Sequence, residues 1–108
     1  MQIIIQSLGF KAGETLENYI REKLEKLKPG EQITGANVVL FMGPDRATPN
    51  DYCEIRLEVP GNDLFVKESA LDFEQAVDSC VNKLEGILRK QKEKMVDRHH
   101  GRVHGQGS

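Results

Sequence analysis

No run of apolar residues in this chain approaches the about 18 needed to cross a bilayer. The start, Met1-Gln2-Ile3-Ile4-Ile5, lacks both a basic n-region and a long apolar h-region, so no secretory signal is read there. Cysteine is scarce. Cys53 and Cys80 stand far apart and form no CxxC motif, which argues against a zinc ribbon or a thioredoxin-like centre. In a reducing compartment both read as small buried hydrophobes. These absences make the cytoplasm the expected location. Catalytic signatures are missing too. Gly9, Gly13 and Gly43 fit neither GxGxxG nor GxxxxGK[ST], and no nucleophile elbow occurs. His99, His100 and His104 all fall near the C-terminus, with no cysteine or carboxylate at ligand spacing beside them. Glu54 and Glu58 share a strand face with Arg56 and not an inferable pocket. No enzyme, cofactor, resident metal or small-molecule substrate is expected.

What the chain has is charge, unevenly spread. The formal net charge is −2. From Lys83 to Ser108, however, seven Lys/Arg stand against three acids, a net of +4, while residues 1–82 carry a net of −6. A basic end on an acidic body orients toward a polyanion. The bland reading is a solvated helix face. At 108 residues, one domain is expected. We place it at 1–98, followed by a disordered Gly- and His-containing tail at 99–108.

The organising stretch is Asp72–Arg98, read as one long amphipathic helix. Phe73, Val77, Cys80, Val81, Leu84, Ile87, Leu88 and Met95 recur in steps of three, four and seven, the signature of a 3.6-residue period. Asp72 with Gln75 resembles a capping box, and Ser69 offers a competing start. Before it, Gln2–Leu8 reads as a strand. Ile3 and Ile5 point one way and Ile4 the other, which implies cover on both faces or apolar neighbours. Gly13–Lys28 reads as a helix with Leu16, Tyr19, Ile20, Leu24 and Leu27 buried, stopped by Pro29-Gly30. Ile33–Met42, Asp51–Val59 and Leu64–Ser69 read as strands. The third is the cleanest, with Cys53, Ile55, Leu57 and Val59 facing a core and Tyr52, Glu54, Arg56 and Glu58 facing water. Turn residues at 43–50 and at Pro60-Gly61-Asn62-Asp63 separate them.

The order is β-α-β-β-β-α, an α+β fold. The last three strands form an antiparallel meander. The helical crossover makes the first two candidates for parallel pairing. Only one sheet face is apolar, so both helices are placed on it.

The functional signal is the outer side of the last helix. Lys83, Lys90 and Lys94 are spaced by seven and four, with Arg89, Lys92 and Arg98 flanking them. Phosphates are drawn to such a row by Coulomb attraction and counterion release. Regular spacing on a rigid helix suits A-form RNA, read by shape. No aromatic residue sits among these bases in the sequence, so stacking on unpaired bases is not expected. On the first helix, Lys23, Lys26 and Lys28 admit a plainer explanation, complementing the helix dipole.

Three features together resemble the ribosome hibernation-promoting factor family, also called ribosome-associated translation inhibitors and, in older usage, sigma-54 modulation proteins. They are the element order, the first helix written Leu16-Glu17-Asn18-Tyr19-Ile20-Arg21-Glu22-Lys23-Leu24, and the last helix running from Asp72-Phe73-Glu74-Gln75-Ala76-Val77-Asp78 to Lys90-Gln91-Lys92-Glu93-Lys94. The resemblance covers roughly residues 1–97 and is to the short type. It implies a four-stranded sheet with two helices on one face, similar to a double-stranded-RNA-binding domain. It implies binding to the small ribosomal subunit and its rRNA in the decoding channel, excluding messenger RNA and tRNA, with a second hibernation factor as a further partner. By position, the bases carried over are Lys23, Lys26, Lys83, Lys90 and Lys94, and Asp72 and Asp78 are structural acids. Gly86 departs from the pattern, where a long, often basic side chain is usual; either a contact is missing there or Arg89 supplies it. The first helix also lacks the usual threonine cap. The rival readings are a regulatory protein-interaction domain using the exposed sheet face and a generic binder of structured RNA.

Overall fold

The computed structural model describes residues 1–27, 32–44 and 50–104, and side chains as far as Gln91. The elements are β1 (Gln2–Leu8), α1 (Glu14–Glu25), β2 (Gly35–Met42), β3 (Asp51–Glu58), β4 (Leu64–Ala70) and α2 (Phe73–His104). The four strands form one sheet in the order β1-β2-β3-β4. β1 pairs parallel with β2, as its helical crossover predicts, and the remaining pairs are antiparallel.

The register explains why the core lies on one side. Val38 is paired with Ile55, and Ile55 with Val66; Leu40 is paired with Cys53. Side chains alternate along each strand, so these residues share a face. All of them are buried there with Ile20, Leu24 and Leu27 from α1 and with Ala76, Val77, Cys80, Val81, Leu84 and Leu88 from α2. The two helices thus cover a single sheet face. Asn37, Val39, Phe41, Tyr52, Glu54, Arg56, Phe65 and Lys67 belong to the other. Ile4 joins that outer face and stands 48% exposed, so β1 is covered on one side only.

Local chemistry sets the element ends. Asp72 caps α2: its carboxylate accepts from the Gln75 backbone N–H at 2.8 Å and from the Gln75 side-chain amide at 3.2 Å. Ser69 instead belongs to β4. α1 begins after Gly13 with no side-chain cap. It ends at Glu25, three residues before the expected Lys28, and Pro29 and Gly30 lie outside the described residues. Ile33 is buried but precedes β2, which starts at Gly35. Gly61 turns the chain from β3 into β4 at φ +95°, a left-handed conformation that glycine adopts without steric cost. α2 runs on to His104, past the expected end at Arg98, and residues 105–108 lie outside the described residues. Met95, expected in its buried stripe, and the three histidines have no described side chains.

Gly86 lies inside α2, and nothing approaches within 4 Å of where its Cβ would be. Gly86→Ala should therefore stabilise the fold by about 0.5–1 kcal/mol, the helix-interior penalty of glycine. Thermal unfolding followed by circular dichroism should show a rise of several degrees, at about 4–8 °C per kcal/mol for a domain of this size.

Candidate nucleic-acid interface

The basic residues singled out from the sequence do not form one continuous row. They fall into two places, set by the flanks of α2.

The first is the seam between the helices. Tyr19 of α1 donates its hydroxyl to Asp78 Oδ1 of α2 at 2.6 Å. Lys23 Nζ lies 3.5 Å from the same carboxylate oxygen and 5.5 Å from the centre of the Tyr19 ring. Asp78 thus ties α1 to α2, the structural role expected of it. Lys23 is held by an acid of its own chain, and a phosphate would have to compete for it. The hydrogen bond to Asp78, with burial and the Asp78 charge behind it, pushes the Tyr19 phenol up to about 12. That bond needs the protonated phenol, whose ordinary pKa is about 10. Its contribution to stability is complete below pH about 10 and is lost as the pH rises toward about 12. Tyr19→Phe should therefore have a lower urea midpoint than the parent at pH 9, and the gap should close by about pH 12.

The second place is a groove between β4 and α2. It is lined by Phe65, Val66 and Lys67 from the strand and by Lys83, Gly86, Ile87 and Lys90 from the helix, and encloses about 520 Å³. Lys83 and Lys90, seven apart, return to the same flank of α2 after two turns, so both ammonium groups reach the groove. Val77, Cys80, Leu84 and Leu88 anchor the opposite side of the helix in the core, which fixes that flank in direction. Within the core, the Cys80 thiol donates to the Cys53 carbonyl at 3.1 Å, and both thiols are free.

Lys83 Nζ is 2.6 Å from Glu68 Oε2 on β4. The bond to Glu68 and its charge hold the Lys83 ammonium above its ordinary pKa, so it stays cationic. With Lys83 63% exposed, the pair contributes little to stability. Lys67, not singled out from the sequence, adds a third cation. It lies 3.8 Å from Glu54 Oε2 and over the Phe41 and Tyr52 rings at 5.6 and 5.5 Å. Those rings stack with centroids 5.1 Å apart.

Lys26 and Arg89 are exposed and make no ion pair with a described residue. Lys92, Lys94 and Arg98 belong to α2, but their side chains lie outside the described residues. Phe65 was missed from the sequence. It reads there as one apolar residue in a polar edge strand, yet it stands 60% exposed in the same groove as Lys83 and Lys90. Bases along α2 have no aromatic neighbour in the chain; across the groove they have one.

On the outer sheet face a shallow depression of about 430 Å³ is lined by Asn37, Val39, Glu54, Arg56 and Phe65. Among the described residues no cluster of three His, Cys, Asp or Glu is placed to hold a metal ion, and no helix is long and apolar enough to cross a membrane.

Comparison with known proteins agrees with this architecture. The family model described as "Sigma 54 modulation protein / S30EA ribosomal protein" matches residues 3–96. A ribosome hibernation promoting factor of Pseudomonas putida is 28% identical over 95 residues, spanning 87% of this chain and 89% of the relative. One from Azotobacter vinelandii is 26% identical over 102 residues, spanning 94% and 92%. Among solved structures, a ribosomal subunit interface protein from Coxiella burnetii superposes with a TM-score of 0.77 at 20% identity, over 86% of this chain and 99% of the other. The N-terminal domain of Thermus thermophilus Protein Y gives 0.71 at 25% identity, over 83% and 98%.

Proposed function

The chain belongs to the sigma 54 modulation protein / S30EA ribosomal protein family, and from that premise we propose that it is a ribosome hibernation factor acting on the small subunit. Its helical side occupies the decoding channel and excludes messenger RNA and tRNA. The relatives named ribosome hibernation promoting factor support the ribosome as target. The observation that carries the interface is the exposed pair Lys83 and Lys90 on one flank of a core-anchored helix. A rigid row of ammonium groups meets rRNA phosphates without first being ordered, so little of the electrostatic gain is spent on entropy.

Inhibition of this kind is occupancy and needs no bond made or broken. Lys26 and Arg89 extend the basic surface, with Lys92, Lys94 and Arg98 continuing it along α2. Lys23 and Lys83 bind phosphate by exchanging Asp78 and Glu68 for it, which lowers their net gain. Ribosomes place the protein in the cytoplasm, and a second hibernation factor would be needed to join two of them.

Co-sedimentation with purified small subunits over a range of salt tests the reading. Five or six phosphate contacts give a slope of about −4 to −5 in log K against log salt. Saturable binding with that slope, lost when messenger RNA and initiator tRNA fill the channel, is the expected result. No co-migration at low salt would overturn it.

A second reading uses the outer sheet face to hold a regulatory protein partner. The exposed Ile4, Leu8 and Phe65, at 48%, 54% and 60%, favour it. Binding through that face would show a shallow salt dependence.

A further inference from the structure

We propose that the β4–α2 groove seats one unpaired RNA nucleotide, its base stacked on Phe65 and its phosphates held by Lys83 and Lys90. The inference rests on the proposed RNA-binding function and adds a specific ligand class to it: a bulged or looped-out nucleotide, as distinct from the duplex backbone.

Four observations converge on this groove. Phe65 projects a large aromatic surface into water at 60% exposure, which a soluble domain seldom does without a partner. Two lysines face the ring across the groove, and Lys67 stands beside it on the same strand. Gly86 leaves the groove wall without a side chain at its middle, and nothing lies within 4 Å of where a Cβ would project. A sugar–phosphate can therefore approach the helix backbone between Lys83 and Lys90. The volume of about 520 Å³ lies within the about 300–1,000 Å³ typical of sites for small ligands, and a double helix is too wide to enter.

The charges select an anion. Lys67, Lys83 and Lys90 outnumber the one carboxylate that reaches across the groove, that of Glu68, on Lys83. Glu54, which pairs with Lys67, lies on the outer sheet face. Aromatic stacking tolerates any base, while the lysines supply the backbone affinity. This is the usual division of labour in single-strand binding, here built on one ring. A purely apolar partner would leave three ammonium groups desolvated and unmatched.

The chain has no tryptophan, so Phe65→Trp gives a single fluorescent reporter in the groove. It would be titrated with an RNA hairpin carrying one bulged adenosine and with the same hairpin lacking the bulge. The bulged hairpin should bind about tenfold more tightly and quench the tryptophan saturably, as a stacked base requires. Phe65→Leu keeps an apolar side chain but not the ring. It should erase the tenfold preference and leave the salt slope of the flush hairpin unchanged. Glu68→Gln frees Lys83 and should tighten both hairpins. Equal binding of the two hairpins, absence of binding, or a preference that survives Phe65→Leu would each overturn the proposal. Co-sedimentation of the unaltered chain with small subunits is scored separately. Co-migration without a bulge preference removes the nucleotide site and leaves the hibernation reading. A bulge preference without co-migration does the reverse.

Discussion

Exchanging both Lys83 and Lys90 for glutamate should lower affinity for the small ribosomal subunit by on the order of a hundredfold near 0.1 M salt. Each phosphate contact contributes about 0.9 to the salt slope, so at that salt a lost contact costs close to tenfold before any repulsion is counted. The double variant loses two contacts and adds two repulsive charges beside them. The measured slope should flatten by about 2. Both side chains are exposed, and the partner left behind is Glu68 of a solvent-accessible pair. The fold therefore survives, with a loss of about 1 kcal/mol at most from like charges at the groove.

The control is Arg56→Glu. Arg56 is exposed on the outer face, across the sheet from both helices, and is flanked in register by Asn37 and Phe65. It makes the same change of charge, and net charge alone cannot then explain a difference. Affinity should hold for Arg56→Glu and collapse for the lysine pair. The opposite pattern would move the contact surface to the sheet and favour a protein partner.

Why the sequence was informative in some places and silent in others follows from the range of the interactions. The β3 alternation was legible because one face of that strand is wet and the other packed, so its period of two is written in the residue types. The Asp72 cap was legible because its partner, Gln75, lies three residues away. The stripe of α2 was legible for the same reason, although Ala76, too small to stand out, is buried with it. Lys83 meets Glu68 from a different element, and no local pattern joins them. Phe65 looked like an ordinary strand residue, and only the docking of α2 along β4 places it beside the basic flank. The unbroken basic row failed on similar grounds. Helical spacing puts Lys83 and Lys90 together, but Lys23 is turned to the α1–α2 seam by Asp78, and Lys67 enters from a strand. A site assembled from two elements takes its composition from the packing.

Leu84→Ala should be the most damaging single change to stability, costing about 2–5 kcal/mol. Leu84 is fully buried, and it lies on the side of α2 that meets the sheet, between Val81 and Leu88. Truncation removes three carbons from a packed interior and leaves a cavity that two helices and a sheet close only in part. A domain of this size has about 5–15 kcal/mol of stability in all, so the loss is a large share. At about 4–8 °C per kcal/mol, the melting temperature should fall by more than 10 °C. The urea midpoint should fall with the m-value unchanged, since a cavity alters stability and not the surface exposed on unfolding. Leu84→Met, which preserves volume, should cost less than about 1.5 kcal/mol. The consequence reaches the interface because Lys83 is the neighbouring residue. With the anchor gone, α2 no longer fixes the direction of its basic flank, and affinity for the small subunit should drop even at temperatures where the variant stays folded. If Leu84→Ala bound as tightly as the parent, rigid presentation of Lys83 and Lys90 would not be what makes this surface work.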